Sequence, residues 1–227
     1  MNFSIISENF HLFLGGLSIT LQMLVLSIPI GSLLAIGIAC LMLHPNALVR
    51  MPIQGFVYFF RGTPLLIQLF MIYYGLGQFE FIRSSALWVL LKEPYFCALL
   101  ALALNNSAYT AEILRGAIKA TSHHEIEAAY SVGMSRPMAF FRIILPSVLR
   151  RSIPAYSNEV IFMLHGTVVV SLVTLYDITG VARFINSRYY SPYEAFITAG
   201  LMYLVITFII IGCFKLVERK YLAYAKV

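Results

Sequence analysis

Charge is what this 227-residue chain has least of. Asp, Glu, Lys and Arg make up 11% of it and apolar residues 60%, whereas soluble domains carry about 25% charged residues. A chain this short has no interior large enough to hide that apolar excess. A water-soluble globule is therefore excluded, and an integral membrane protein is expected. Cysteine is scarce too. Cys40, Cys97 and Cys213 stand alone in or beside apolar runs, with no CxxC pair and no His at ligand spacing, so they read as packing residues and no metal site is expected. No low-complexity segment or inverted repeat occurs. A spanning helix takes about 20 residues, which allows five or six spans and leaves no room for a separate catalytic domain of ordinary size. The first apolar run lacks a basic flank and is too long for a cleaved leader, so it is expected to remain as the first span.

What is present is a series of apolar stretches at residues 12–43, 53–76, 95–118, 153–175 and 193–217. The fold class expected is an all-α integral membrane protein with about five transmembrane helices, forming one domain over residues 1–227. Gly31, Ala35 and Ala39 recur at four-residue spacing in the first stretch, which permits close helix contact. Gly62-Thr63-Pro64 interrupts the second. Trp88-Val89-Leu90-Leu91 is too short to cross and reads as an interfacial turn.

The net charge is +6, yet the basic residues are dispersed between apolar runs and form no patch, so topology explains them better than a nucleic-acid partner does. Eleven of them (Arg50, Arg115, Lys119, Arg136, Arg142, Arg150, Arg151, Lys215, Arg219, Lys220 and Lys226) fall on one side of a five-span layout. Arg83, Lys92, Arg183 and Arg188 fall on the other, and Arg61 lies within the second stretch. The basic side is expected to be cytoplasmic, with the N-terminus outside and the C-terminus inside.

The segment 119–146 is the most informative. Ser122 and Glu125 fit a capping box, and Ile126, Tyr130 and Met134 then share one helical face with Ala129 beside them. Gly133 is expected to end this helix as a left-handed cap. Ser135 and Pro137 restart a second helix, Met138 to Leu145, which Pro146 is expected to end. A short amphipathic helix of this kind lies on lipid or docks into a groove of a soluble partner. The small face of Ala128, Ala129 and Gly133 suits protein contact better.

Glu127-Ala128-Ala129, Gly133 and the Ile143-Ile144-Leu145-Pro146 ending resemble the EAA loop of bacterial ABC importer permeases. Arg61-Gly62-Thr63-Pro64-Leu65-Leu66-Ile67-Gln68, Ala108-Tyr109-Thr110-Ala111-Glu112-Ile113 and Tyr156-Ser157-Asn158-Glu159-Val160 resemble the polar amino acid uptake family. Gly77-Gln78-Phe79, Ala86-Leu87-Trp88 and Glu93-Pro94 are similar to arginine permeases, and Asn158-Glu159 with Leu164-His165 to histidine/lysine/arginine/ornithine permeases. The family's Pro-x-Gly-Gln-like turn before the EAA box is replaced here by Thr121-Ser122-His123-His124-Glu125-Ile126.

The resemblance implies a cytoplasmic coupling helix, with Ile126, Glu127, Ala128, Ala129, Tyr130 and Gly133 as its ATPase-docking residues. It implies a cytoplasmic ABC ATPase dimer, a second permease subunit (identical or paralogous) and a periplasmic substrate-binding protein as partners, beside membrane lipid. The cargo implied is a basic amino acid, arginine or histidine. No GxxxxGK[ST] loop is present. The expectation is a non-enzymatic subunit that binds no cofactor, ATP and Mg being used by the partner ATPase.

Ionisable groups inside spans mark function by default. Glu159 either faces a cavity and meets a cationic group, or is neutralised by a partner such as Arg61 or Arg151, or serves as a conformational lock. Asn105, Asn106 and Ser107 either bind the α-amino or α-carboxyl group of a ligand or bond between helices. Thr63 and Gln68 flank the Pro64 interruption and join Asn158 among the substrate-binding candidates. Glu112 and Arg115 read as an intra-helix pair and His165 as a packed neutral histidine. Asp177, Arg183, Asn186 and Arg188 lie outside, either solvated or facing a delivery protein. The competing readings are an ATP-independent secondary transporter or channel, ion-coupled through Glu159 and His165, and a membrane anchor whose loop merely recruits a partner.

Overall fold

The computed structural model describes residues 4–221, which are predominantly helical with no strand among them. A short α1 (Ser4–Glu8) precedes α2 (Phe10–Met42), whose 33 residues extend about 50 Å at 1.5 Å per residue. Then come α3 (Ala47–Gly62), α4 (Leu65–Phe70), α5 (Glu80–Arg83), α6 (Trp88–Leu91) and α7 (Pro94–Lys119). The segment 119–146 contains α8 (His123–Ser131) and α9 (Arg136–Ala139); α10 (Leu145–Gly166), α11 (Ile178–Tyr189) and α12 (Pro192–Tyr221) complete the chain. Four helical stretches are long and apolar enough to cross a bilayer: α2, α7, the continuous run Arg136–Val173 and α12. The pair Ala47–Gly62 and Leu65–Gln78 makes a fifth if its two arms, bent by 110°, are one broken span.

Small residues decide the packing at the centre. Gly31, Ala35 and Ala39 are buried on one stripe of α2. A Cβ on Gly31 would lie 2.7 Å from the Ala103 carbonyl oxygen of α7, so only glycine admits this approach. The facing helix is equally lean, with Ala98, Ala101, Ala108 and Ala111 essentially inaccessible. α7 is thus the central post, and α2, α3 and α10 pack around it. The end of the bundle at α11 is tied by Asp177, which caps α11 by accepting from the Gly180 N–H at 2.7 Å and accepts the Tyr203 hydroxyl of α12 at 2.9 Å.

Two expectations are corrected here. Pro146 does not end a helix. Residues Phe140–Ile144 form a π-helical turn in which the Leu145 N–H reaches back to the Phe140 carbonyl. That widened turn takes up the clash a proline ring makes with the carbonyl four residues earlier, and the chain runs on into α10. The capping box is not formed either. Ser122 occupies the N-cap position of α8 without a side-chain cap bond, because Glu125 turns to Arg151 instead, at 3.0 Å. The C-terminal cap is present as expected. Gly133 has φ +78°, its N–H reaches the Tyr130 carbonyl at 2.9 Å and the Met134 N–H reaches that of Ala129 at 3.1 Å, the bond pair of a Schellman motif.

Candidate functional site

The break between α3 and α4 is where the site begins. Pro64 has no N–H to continue the ladder, so carbonyls at the end of α3 are left without helical partners. Gln68, fully buried, supplies them. Its Nε2 donates to the Phe60 carbonyl at 2.8 Å and to the Thr63 carbonyl and hydroxyl, each at 2.9 Å. Its Oε1 accepts from Asn105 Nδ2 of α7 at 3.0 Å. The Thr63 hydroxyl donates in turn to the Phe59 carbonyl at 2.8 Å. The sharp bend is therefore locked by one glutamine and anchored to the central post.

Beside the bend lies a cavity of about 490 Å³, within the size range of small-molecule sites. One wall is Thr63, Pro64 and Leu65; a second is Asn105 and Tyr109 of α7; the third is Glu159, Phe162, Met163 and Gly166 of α10. Glu159 is the carboxylic acid in that lining and is only 7% exposed. No Lys, Arg or His nitrogen lies within 4 Å of it among the described residues. Neither of the two basic residues expected to neutralise it is in contact with it, although the Arg61 charge is near enough to act on the carboxylate through space. Arg61 lies over the Tyr109 ring at 5.5 Å and faces Glu112 at 3.8 Å, while Arg151 bonds Glu125 and the Ala120 carbonyl. Glu112 also takes Arg115, so these two form the intra-helix pair expected of them.

The other sequence candidates separate in space. Thr63 and Asn105 line the cavity, and Gln68 sits behind them as the clamp. Asn106 is buried between α2 and the cavity, and its side-chain amide lies against the Glu159 carboxyl. Ser107 bonds its own helix, at the Leu104 carbonyl, and Asn158 points to the exposed side of α10; neither lines the cavity. His165 is exposed and also outside the lining, so the packed histidine is corrected and it does not share the cavity with Glu159. Tyr109, Leu65 and Phe162 complete the lining beyond the candidates that the sequence points to, although Tyr109 and Leu65 stand inside the motifs at 108–113 and 61–68. Asp177, expected outside in a loop, is inaccessible, and burial pushes its carboxyl above the ordinary range. Arg183 and Asn186 line a separate outer cavity of about 660 Å³.

On α8, Glu127, Ala128 and Tyr130 are exposed, Ile126 is half-buried and Ala129 is packed inward. Glu127 lies 3.6 Å from His124 Nδ1. The helix thus presents an exposed polar and small-residue face while its other side is held to the bundle.

A helical membrane protein with a locked helix break, a central cavity holding one carboxylate and a short helix presented from a loop is built as a translocation unit. Its sequence places it within a family: residues 27–222 match the model of the binding-protein-dependent transport system inner membrane component, and the chain belongs to that family. Among similar proteins, the nopaline transport system permease protein NocM of Agrobacterium fabrum (strain C58) is 43% identical over 219 residues, covering 96% of this chain and 91% of the relative. The histidine/lysine/arginine/ornithine transport system permease protein HisM of Escherichia coli (strain K12) is 42% identical over 212 residues, covering 93% and 89%. A crystal structure of an amino acid ABC transporter with histidines matches with a TM-score of 0.86 at 33% identity, covering 97% of this chain and 99% of that one.

Proposed function

We propose that this chain is the permease subunit of an ATP-driven importer of basic amino acids, arginine or histidine being the preferred cargo. Glu159 carries the reading: a buried carboxylate facing a cavity, with no Lys, Arg or His nitrogen within 4 Å among the described residues, is completed by a guanidinium or ammonium group of a ligand. Family membership supports the translocation role, and the names of the relatives support the cargo class. Thr63, Asn105 and Asn106 supply polar atoms near the carboxylate for the backbone groups of an amino acid. The exposed face of α8, around Glu127, docks a cytoplasmic ATPase that uses ATP and Mg. A second permease subunit and a periplasmic binding protein complete the machine, with the N-terminus periplasmic and the C-terminus cytoplasmic. The test is uptake into proteoliposomes by the reconstituted complex. Glu159→Gln should depress arginine transport far more than transport of a neutral amino acid such as glutamine. Equal loss for both, or none, would overturn the assignment of Glu159 to cargo. Glu127→Lys should release the ATPase in pull-down, and full ATPase retention with normal uptake would remove the docking role from α8.

A further inference from the structure

A second cavity, of about 500 Å³, shares no lining residue with the one at Glu159, although its Thr110 is next to Tyr109 and its Tyr156 stands three residues before Glu159. It is bounded by the basic-side halves of four helices: Ile36 of α2, Leu114 of α7, Leu149 and Ile153 of α10, and Val217 of α12. Its lining is largely apolar; Ser32 and Tyr156 bond each other there at 2.7 Å and Ser152 bonds the Val148 carbonyl, whereas Thr110 and Arg150 stand apart from these pairs. Thr110 is 3% exposed, lines the cavity and has a hydroxyl with no hydrogen-bond partner. Arg150 lies at the rim, exposed, with no ion-pair partner among the described residues. Lys215, Arg219 and Lys220 continue the positive charge along the last turns of α12.

An apolar slot between spanning helices, with an unpaired guanidinium at its mouth, has the two-part chemistry of one ligand class. We propose that this cleft is a site for an anionic phospholipid, with an acyl chain between α7, α10 and α12 and the phosphate on Arg150. The arginine matches the phosphate in charge and in bidentate geometry. The Thr110 hydroxyl is a donor for an ester carbonyl. The site is independent of the cargo cavity, and its occupant comes from the cytoplasmic leaflet, where basic residues meet anionic headgroups.

The experiment uses the assembled complex in nanodiscs of phosphatidylcholine, titrated with phosphatidylglycerol of the same acyl chains, with tightly held lipid counted by native mass spectrometry. Wild type should retain phosphatidylglycerol in preference to phosphatidylcholine. Arg150→Gln should weaken that retention about fivefold, the contribution of one basic residue at a membrane surface. Arg150→Lys should restore part of it, and Leu149→Trp should displace the lipid by filling the slot. Inorganic phosphate, which has no acyl chain, should not compete. Equal retention of both lipids by wild type would overturn the proposal even if a variant failed to fold. Unchanged retention in Arg150→Gln and Leu149→Trp would overturn it too. So would competition by phosphate alone, or a Leu149→Trp variant that separates the permease subunits while keeping its lipid, which would assign the cleft to a second copy of the chain.

Discussion

Replacing Gln68 by Leu tests whether the bend between α3 and α4 is held by one side chain. Leucine is close in size, so the substitution removes hydrogen bonds and leaves little void. Gln68 donates to three acceptors and accepts once, at 2.8 to 3.0 Å, inside a fully buried setting. The acceptors do not fare equally when it is lost. The Phe60 carbonyl keeps Asn105 Nδ2 at 3.3 Å, and the Thr63 hydroxyl keeps its bond to Phe59. The Thr63 carbonyl loses its side-chain donor. Each buried polar group left unpaired costs about 1–3 kcal/mol, although bonds between membrane helices average nearer 0.6 kcal/mol. A loss of about 1–3 kcal/mol is therefore expected, with Gln68→Glu similarly harmful because a carboxylate cannot donate. The assay is thermal unfolding of the solubilised protein alongside uptake by the reconstituted complex. Gln68→Leu should lower the midpoint and reduce transport, since Thr63 and Asn105 line the cavity. A variant with the wild-type midpoint and wild-type uptake would refute the clamp.

Three further outcomes follow from particular contacts. Gly31→Ala places a Cβ 2.5 Å from Asn106 Oδ1 and 2.7 Å from the Ala103 carbonyl oxygen, so overpacking should cost about 1–3 kcal/mol, read as a lower unfolding midpoint; Gly37→Ala, with open space at its Cβ, should be neutral. Arg151→Met removes the bonds to Glu125 and the Ala120 carbonyl, a partly exposed pair worth about 1 kcal/mol, and amide exchange in α8 should quicken about fivefold. Asp177 has its carboxyl raised by burial, so the folded state favours the protonated form more than the unfolded chain does. That stability is full below the ordinary carboxyl value of 3.8 and is lost as pH rises through the raised value. The wild-type midpoint should therefore fall, relative to Asp177→Asn, as pH is taken from 4 towards neutrality, and parallel curves would remove Asp177 as the source.

Features that follow from one residue's own chemistry were legible in the sequence. The Gly31, Ala35, Ala39 stripe is periodic, so its burial against another helix could be read directly. Gly62-Thr63-Pro64 announces a break, and Glu159 stands out as an acid in an apolar run. Gly133 needs left-handed freedom at one position only. What escaped depends on partners distant in the chain or on competition between two local options. The bond from Gln68 to Asn105 joins residues 37 apart. Glu125 chose Arg151, 26 residues away, over the nearby Ser122. Pro146 was read as a terminator because proline usually is one, and nothing in the letters reveals the π-turn that lets the helix pass. Asp177 sits between apolar runs as a loop residue would, and its burial depends on the tight approach of Gly16, whose Cβ would meet the Asp177 carbonyl oxygen at 2.8 Å.

Arg151 also defines how the exposed helix and the buried cavity are mechanically related. It ties α8 through Glu125 and the end of α7 through the Ala120 carbonyl, from a position on α10. Two of the cavity's three walls come from these same long helices: Asn105 and Tyr109 on α7, and Glu159, Phe162, Met163 and Gly166 on α10. Glu159 is eight residues beyond Arg151, about 12 Å along the helix axis, with Pro154 between them. Proline there removes one bond of the ladder and makes that turn the compliant point of α10. A displacement of α8 would therefore reach both of these walls, through Arg151 and through the packing of α8 on the helical run 136–144. The α7 wall is a continuous helix and moves as a unit, whereas the α10 wall is reached through the proline turn. The relative motion of the two therefore concentrates between Asn105 and Glu159, where a ligand would sit.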